Sequence, residues 1–76
     1  MLHSSPKPEK LRELRCRAML TQDEVERLTG VTRYVISYLE LGKRRPTTGT
    51  LRKLLTCYDR QIQMNERREQ RWEETA

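Results

Sequence analysis

The sequence has few of the residues that interrupt helices. Only three glycines and three prolines occur among its 76 residues, and β-branched residues are scarce outside one stretch, GVTRYVISYLEL at positions 30–41. Arginine, lysine, glutamate, glutamine and leucine dominate instead, and these residues have high helix propensity. The composition therefore predicts an all-α fold.

Residues that bind metals or perform catalysis are scarce as well. Two distant cysteines, Cys16 and Cys57, and the single histidine His3 do not make a zinc site. We interpret the cysteines as reduced thiols packed in helices. The sequence contains no recognisable nucleophile–base set, carboxylate pair or phosphate-binding glycine loop, which argues against an enzyme. We expect neither a metal nor a cofactor.

Long hydrophobic runs are also missing. No stretch approaches the length that spans a membrane, and the N-terminal MLHSSPKPEK lacks the apolar segment of an export signal. We therefore expect a cytoplasmic protein without a membrane partner. The core must be small, because 34% of the residues are hydrophobic and a chain this short buries only about 60% of its unfolded surface.

Positive charge is concentrated in the part of the chain that looks able to fold. Residues 1–58 hold twelve Lys or Arg and six Asp or Glu, a net charge of +6, whereas residues 59–76 hold four and five, a net charge of −1. The two parts sum to the overall +5. A cationic domain favours an anionic partner, and nucleic acid is the first candidate.

Two helices are predicted in the first half of the chain. Pro8 suits the start of a helix, and the apolar residues Leu11, Leu14 and Ala18 follow at helical spacing. The segment Thr21–Glu24 fits a capping box, in which the Thr21 hydroxyl and the Glu24 carboxylate each accept a backbone N–H. Gly30 then ends the second helix in a left-handed conformation.

Two further helices are predicted after Gly30. Thr32 caps the third, which ends at Gly42, and Thr47 or Thr50 caps the fourth. The turn between the second and third helices has the length of a helix-turn-helix. The fourth helix carries a core stripe, Leu51, Leu54, Leu55 and Tyr58. We divide the chain into a flexible arm at 1–7, a folded domain at 8–58 and a charged C-terminal helix or tail at 59–76.

The third helix has two different flanks. Val35, Ile36 and Leu39 share one flank and form a plausible core stripe. Polar and aromatic side chains share another flank: Arg33, Tyr34, Ser37 and Tyr38. An arginine can donate two hydrogen bonds to guanine, and tyrosines can contact thymine methyl groups or phosphates. Covering the edge of the core is the simpler role for either tyrosine.

Residues 11–58 resemble the Cro/CI-like helix-turn-helix family, also called the xenobiotic-response-element family, of phage and bacterial repressors. The matching residues are Leu11, Leu14, Arg15, Leu20-Thr21-Gln22, Val25, Gly30-Val31-Thr32, Ile36-Ser37, Leu39-Glu40, Gly42-Lys43, Arg45-Pro46, Leu51 and Leu54. The caps, glycines and core positions all fall in register. The resemblance implies a compact bundle of four or five short helices of the lambda-repressor-like type.

The resemblance also implies roles for individual residues. It places the third helix in the DNA major groove and Gln22 on a phosphate, and it pairs Arg15 with Glu40 as a structural bridge. Base edges or flanking sugar-phosphates would be contacted by Thr32, Arg33, Tyr34, Ser37 and Tyr38. The backbone would be contacted by Lys43, Arg44 and Arg45, although a solvated loop at a helix C-terminus is the simpler interpretation of these three cations.

Three residues depart from the family pattern. Glu26 stands where the family usually has a small residue, so it must bend outward or find a cation. Met19 replaces the usual glycine after the first helix, and Leu28 occupies a place that is commonly polar. These departures bear on how the second and third helices pack and on how the domain docks.

The sequence predicts a sequence-specific DNA-binding transcriptional regulator, most simply a repressor in a bacterium or phage that binds double-stranded DNA as a homodimer on an inverted repeat. The alternative is a regulator on the same scaffold that binds a protein, as an antitoxin does. Its support is the apolar set Leu28, Val35 and Leu41 near the expected DNA face, together with Glu26 and the acidic tail. RNA fits less well, because the A-form major groove is too narrow for a helix.

Overall fold

A computed structural model describes residues 6–75, with the side chains of residues 6–68. The helices are α1 (Pro8–Arg17), α2 (Gln22–Thr29), α3 (Arg33–Glu40) and α4 (Thr48–Thr75). The described part of the chain contains no strand, and the predicted all-α fold is confirmed. The fourth helix has 28 residues and is not one of the short helices that the resemblance implied. Most of the predicted arm, residues 1–5 with His3, lies outside the described residues.

The ends of α2 and α3 follow the local sequence signals. The capping box of α2 is complete: Thr21 Oγ1 accepts from the Glu24 amide at 3.1 Å, and Glu24 Oε1 accepts from the Thr21 amide at 2.9 Å. Gly30 ends α2 at φ +79°, and its amide donates to the Glu26 carbonyl. Thr32 then caps α3 by accepting from the Val35 amide at 3.4 Å. These predicted caps are confirmed.

The end of α1 places a non-glycine residue in a strained conformation. Met19 has φ +60°, in the left-handed region, at the position where the family usually has glycine. The Leu20 amide donates to the Arg15 carbonyl across this turn at 3.2 Å, which is the closing bond of a left-handed helix end. The same backbone geometry recurs after α3 at Gly42, where φ is +75°. Met19 adopts it at a steric cost that glycine avoids.

All four helices contribute to the core. Its buried residues are Leu11, Ala18, Leu20, Val25, Val31, Ile36, Leu39, Leu54 and Tyr58. The predicted core residues Leu14, Val35, Leu51 and Leu55 are only half-buried and pack at its edge. Burial raises the pKa of Tyr58 well above its usual value, and its hydroxyl has no hydrogen-bond partner among the described residues.

Helix α4 continues through the predicted C-terminal segment. It runs without a break from Thr48 to Thr75, so most of residues 59–76 form the continuation of a domain helix. Asn65 Nδ2 donates to the Ala18 carbonyl at 3.1 Å and ties this part of α4 to the end of α1. None of the described helices combines the length and the apolar character that crossing a bilayer requires.

Candidate nucleic-acid interface

The outer flank of α3 is exposed, while its opposite flank is buried. Ile36 and Leu39 are each 2% exposed or less, whereas Tyr34 is 64% and Tyr38 47% exposed. Arg33 and Thr32 are also exposed, and Ser37 is half-buried between the two flanks. The structure therefore brings the five predicted α3 contact residues to one accessible side of the helix.

The turn before α3 is held by side chains as well as by glycine. Thr29 Oγ1 donates to the Val25 carbonyl at 2.7 Å and accepts from the Val31 amide at 3.1 Å. Val31 is buried, so the chain is anchored in the core between the two helices. These bonds fix the conformation of the turn between α2 and α3, a role that was not predicted for Thr29. Ser and Thr side chains often bond to nearby backbone in turns, which is a signal that could have found it.

A shared carboxylate joins α1, α2 and α3. Glu40 accepts from Arg15 Nε at 2.7 Å, from Arg15 Nη2 at 3.0 Å and from Gln22 Nε2 at 3.2 Å. The third Arg15 nitrogen, Nη1, donates to the Leu20 carbonyl at 2.9 Å. The pKa of Arg15 is raised, chiefly because the guanidinium donates to Glu40. The implied Arg15–Glu40 bridge is thus present, and it fixes the C-terminal end of α3 on the rest of the domain.

Gln22 takes part in this network. Its amide nitrogen donates to Glu40 while its side chain stays half-buried at the start of α2. The hydrogen bond to Glu40 thus fixes the orientation of the Gln22 side chain. A phosphate contact by Gln22 remains a prediction.

The Arg33 guanidinium lies between an aromatic ring and a carboxylate. Arg33 Nη1 is 3.5 Å from Asp23 Oδ1, and Arg33 Cζ lies 5.2 Å from the centroid of the Tyr34 ring. The pKa of Arg33 is raised, because the neighbouring Tyr34 side chain and, to a lesser extent, the Asp23 carboxylate favour the charged guanidinium. Both members of the ion pair are more than half exposed, so the pair contributes little to stability. Sequence reasoning missed this pair, because no pattern fixes where two long exposed side chains meet.

Three consecutive exposed cations follow α3. They are Lys43, Arg44 and Arg45. The Lys43 amide donates to the Tyr38 carbonyl at 2.9 Å, so the first of these residues is tied to the end of α3. Gly42 allows the chain to pass close to α1, since a Cβ here would lie 3.3 Å from Pro8 Cγ. The loop is therefore anchored at its beginning, and its three cationic side chains are exposed.

A family model described as helix-turn-helix, of the Cro/CI type, matches residues 11–64. The chain belongs to this helix-turn-helix family. The match extends beyond residue 58, the last residue of the resemblance described above, and includes the middle of α4. No curated protein and no solved structure matches the chain.

Helix-turn-helix proteins of this family are DNA-binding regulatory domains, not enzymes. In the described part of the chain, no group of three or more His, Cys, Asp or Glu side chains is placed to hold a metal ion.

Two residues that depart from the family pattern are at least partly exposed to solvent: Glu26 is half-buried, and Leu28 is exposed. Leu28 lies beside α4, not on the outer flank of α3.

Proposed function

We propose that the protein is a sequence-specific transcriptional regulator, most simply a repressor, that inserts α3 into the major groove of DNA. The observation that carries the proposal is the accessible outer flank of α3, where an arginine and two tyrosines stand next to three consecutive cations. The first group is proposed to contact base edges or the flanking sugar-phosphate: Thr32, Arg33, Tyr34, Ser37 and Tyr38. The second group is proposed to contact the phosphate backbone: Gln22, Lys43, Arg44 and Arg45.

Two copies acting together are part of the proposal. A domain with one eight-residue recognition helix offers few base contacts, and typical specific affinities need more than one such module. Two copies related by a two-fold axis bind an inverted repeat. We then expect half-site centres about 10–10.5 base pairs apart, or a multiple of that spacing. A footprint of one isolated half-site would remove the dimer from the proposal.

Selection from a randomised duplex pool, followed by titrations at two salt concentrations, tests the proposed roles. Arg33→Ala is expected to relax the preference at one base pair of each half-site. Arg44→Ala is expected to weaken binding to all sequences alike and to reduce the salt slope by about one unit. Arg60→Ala, on α4, is the matched control and should change DNA affinity least. Identical behaviour of the Arg33 and Arg44 variants would contradict the division into reading and positioning residues.

A further inference from the structure

A groove between α2 and α4 lies outside the proposed DNA interface. Besides uncharged polar residues, it is lined by three apolar side chains that we call its floor: Leu28, which is 60% exposed, Met64, which is 49% exposed, and the half-buried Cys57. The groove has a volume of about 640 Å³, within the range of ligand-binding clefts. Burial raises the pKa of Cys57, as expected beside an apolar surface. None of the lining residues belongs to α3 or to the loop at residues 43–45.

The charges around this groove are all positive. Arg52, Lys53 and Arg60 line it, and within the described residues no Asp or Glu does. Lys53, Cys57, Arg60 and Met64 recur at i, i+4, i+7 and i+11, so they follow one flank of α4. This flank extends for about 16 Å, which matches about three turns of a second helix.

The opposite side of α4 differs. A groove of about 440 Å³ between α1 and α4 is lined by half-buried Leu55 and Ile62, but its charged residues are Arg17, Asp59 and Glu66. Because carboxylates and a cation mix there, the purely positive rim distinguishes the α2/α4 groove from the groove on the other side of α4.

We propose that the α2/α4 groove binds a short amphipathic helix with acidic flanks from another protein. The apolar residues of that helix cover Leu28 and Met64, and its carboxylates pair with Arg52, Lys53 and Arg60. This is a second binding function that does not depend on the proposed DNA contacts. Since no residue of α3 lines the groove, we expect DNA and this partner to bind at the same time.

Two other occupants fit the groove less well. A DNA backbone pairs with the three cations but leaves the exposed Leu28 and Met64 side chains in water. A second copy placed on the same groove by a two-fold axis brings the same cations together from both sides. The combination of an apolar floor with a positive rim therefore favours an acidic amphipathic helix.

The test is an NMR titration of the full, ¹⁵N-labelled chain with a synthetic peptide. The probe is a helix of about 14 residues with leucines along one stripe and glutamates beside it; the control peptide has lysines in place of the glutamates. We expect the acidic peptide to shift the amide signals of residues 28, 57, 60 and 64, while those of residues 33–38 stay in place. The lysine peptide should produce no saturating shift, and equal binding of both peptides would overturn the proposal.

Leu28→Glu is the main variant, with Leu41→Glu as its matched control. Both leucines stand near the end of a short helix with similar exposure, 60% and 64%, but Leu41 lies outside the groove. Leu28→Glu should weaken peptide binding about tenfold or more, and Leu41→Glu should change it less than about twofold. Met64→Glu, in the middle of α4, repeats the test if Leu28→Glu perturbs folding. Equal losses for the groove variants and the control would overturn the proposal.

The two other occupants considered above, a DNA backbone and a second copy of the chain, would each give a different result in these titrations. If duplex DNA shifts the groove signals and Arg60→Gln reduces DNA affinity, the groove is a DNA surface. If the groove signals move with protein concentration alone and sedimentation shows a dimer, a second copy occupies it. Either result overturns the acidic-helix proposal, and neither affects the base-reading test with Arg33→Ala.

Discussion

The α2–α3 unit and helix α4 reach the same helical state by different means. Each of the two short helices has eight residues and begins with a threonine cap, and α2 ends at a left-handed glycine. Their geometry depends on individually placed atoms: Thr21 Oγ1, Thr29 Oγ1 and the carboxylate of Glu40. Helix α4 has 28 residues, and among its described side chains the buried core residues, Leu54 and Tyr58, lie in its first half.

This difference shows where the fold is vulnerable. An isolated helix of eight residues is unstable in water, so α2 and α3 exist because caps and core contacts hold them. The later part of α4 has fewer tertiary contacts, such as the packing of Ile62 and the Asn65–Ala18 hydrogen bond. It depends more on the helix propensity of Arg, Gln and Glu and on local pairs such as Gln63–Asp59. Single substitutions should therefore matter much more in the first region than in the second.

The largest expected difference concerns apolar side chains. Ile36→Ala should lower the free energy of unfolding by about 2–5 kcal/mol, because the Ile36 side chain is fully buried on the inner flank of α3. Met64→Ala in α4 should cost less than about 1 kcal/mol, because half of that side chain is already in water. Urea unfolding followed by circular dichroism measures both. Similar losses would show that the second half of α4 carries as much of the fold as α3.

The second prediction concerns the shared carboxylate. Glu40→Gln should destabilise the protein by about 2–3 kcal/mol, because it removes the charge that faces the largely buried Arg15 guanidinium. Glu66→Gln is the matched control: this side chain is exposed on α4, and the change should stay within about 0.5 kcal/mol. A double-mutant cycle of Arg15→Ala with Glu40→Ala should give a coupling free energy above about 1 kcal/mol. A coupling near zero would mean that the network does not hold α3.

The third prediction compares one substitution at two places. Thr21→Ala should cost about 1 kcal/mol, because it removes the cap of α2. Thr56→Ala, inside α4, should instead stabilise by a few tenths of a kcal/mol, because alanine has the higher helix propensity. Thermal unfolding of both variants provides the measurement, and a loss at Thr56 equal to that at Thr21 would contradict it.

The capping box also predicts a pH dependence. Hydrogen bonds from Thr21 hold the pKa of Glu24 below its ordinary value of 4.5. Since the pKa is lowered in the folded state, the stabilisation is present above pH 4.5 and is lost as the pH falls through the folded-state pKa. The difference in the free energy of unfolding between the protein and Glu24→Gln should therefore shrink as the pH is lowered from 6 to below 4.5. A difference that stays constant would show that Glu24 does not act through its charge.

The smallest expected effect is a gain. Met19→Gly should stabilise the protein by up to about 1 kcal/mol, because the left-handed conformation strains any residue with a Cβ. Arg12→Gly, at an exposed position inside α1, should cost about 1 kcal/mol. Thermal unfolding should show opposite changes in stability, a gain for Met19→Gly and a loss for Arg12→Gly. A loss at both positions would mean that the Met19 side chain contributes more than its backbone conformation costs.

Local signals predicted the helix ends, while tertiary pairings were less accessible from the sequence. The Thr21–Glu24 box, Gly30 and Thr32 each bond to a residue three or four positions away, so local spacing specifies their geometry. The resemblance supplied the Arg15–Glu40 bridge. The Asp23–Arg33 contact and the juxtaposition of Leu28 with Met64 depend on how helices pack and where exposed side chains rest. The assigned DNA contacts remain predictions, although the accessibility of the α3 side chains agrees with them.

One consequence of the Glu40 network concerns the DNA. Because a single carboxylate joins α1, α2 and α3, any tilt of α3 relative to the other two helices has to break hydrogen bonds of Glu40 with Arg15 or Gln22. In the complex that we propose, the duplex has to adapt its own shape to a stiff protein template. Operators with easily deformed pyrimidine–purine steps between their half-sites should then be preferred, even at base pairs that no side chain reaches.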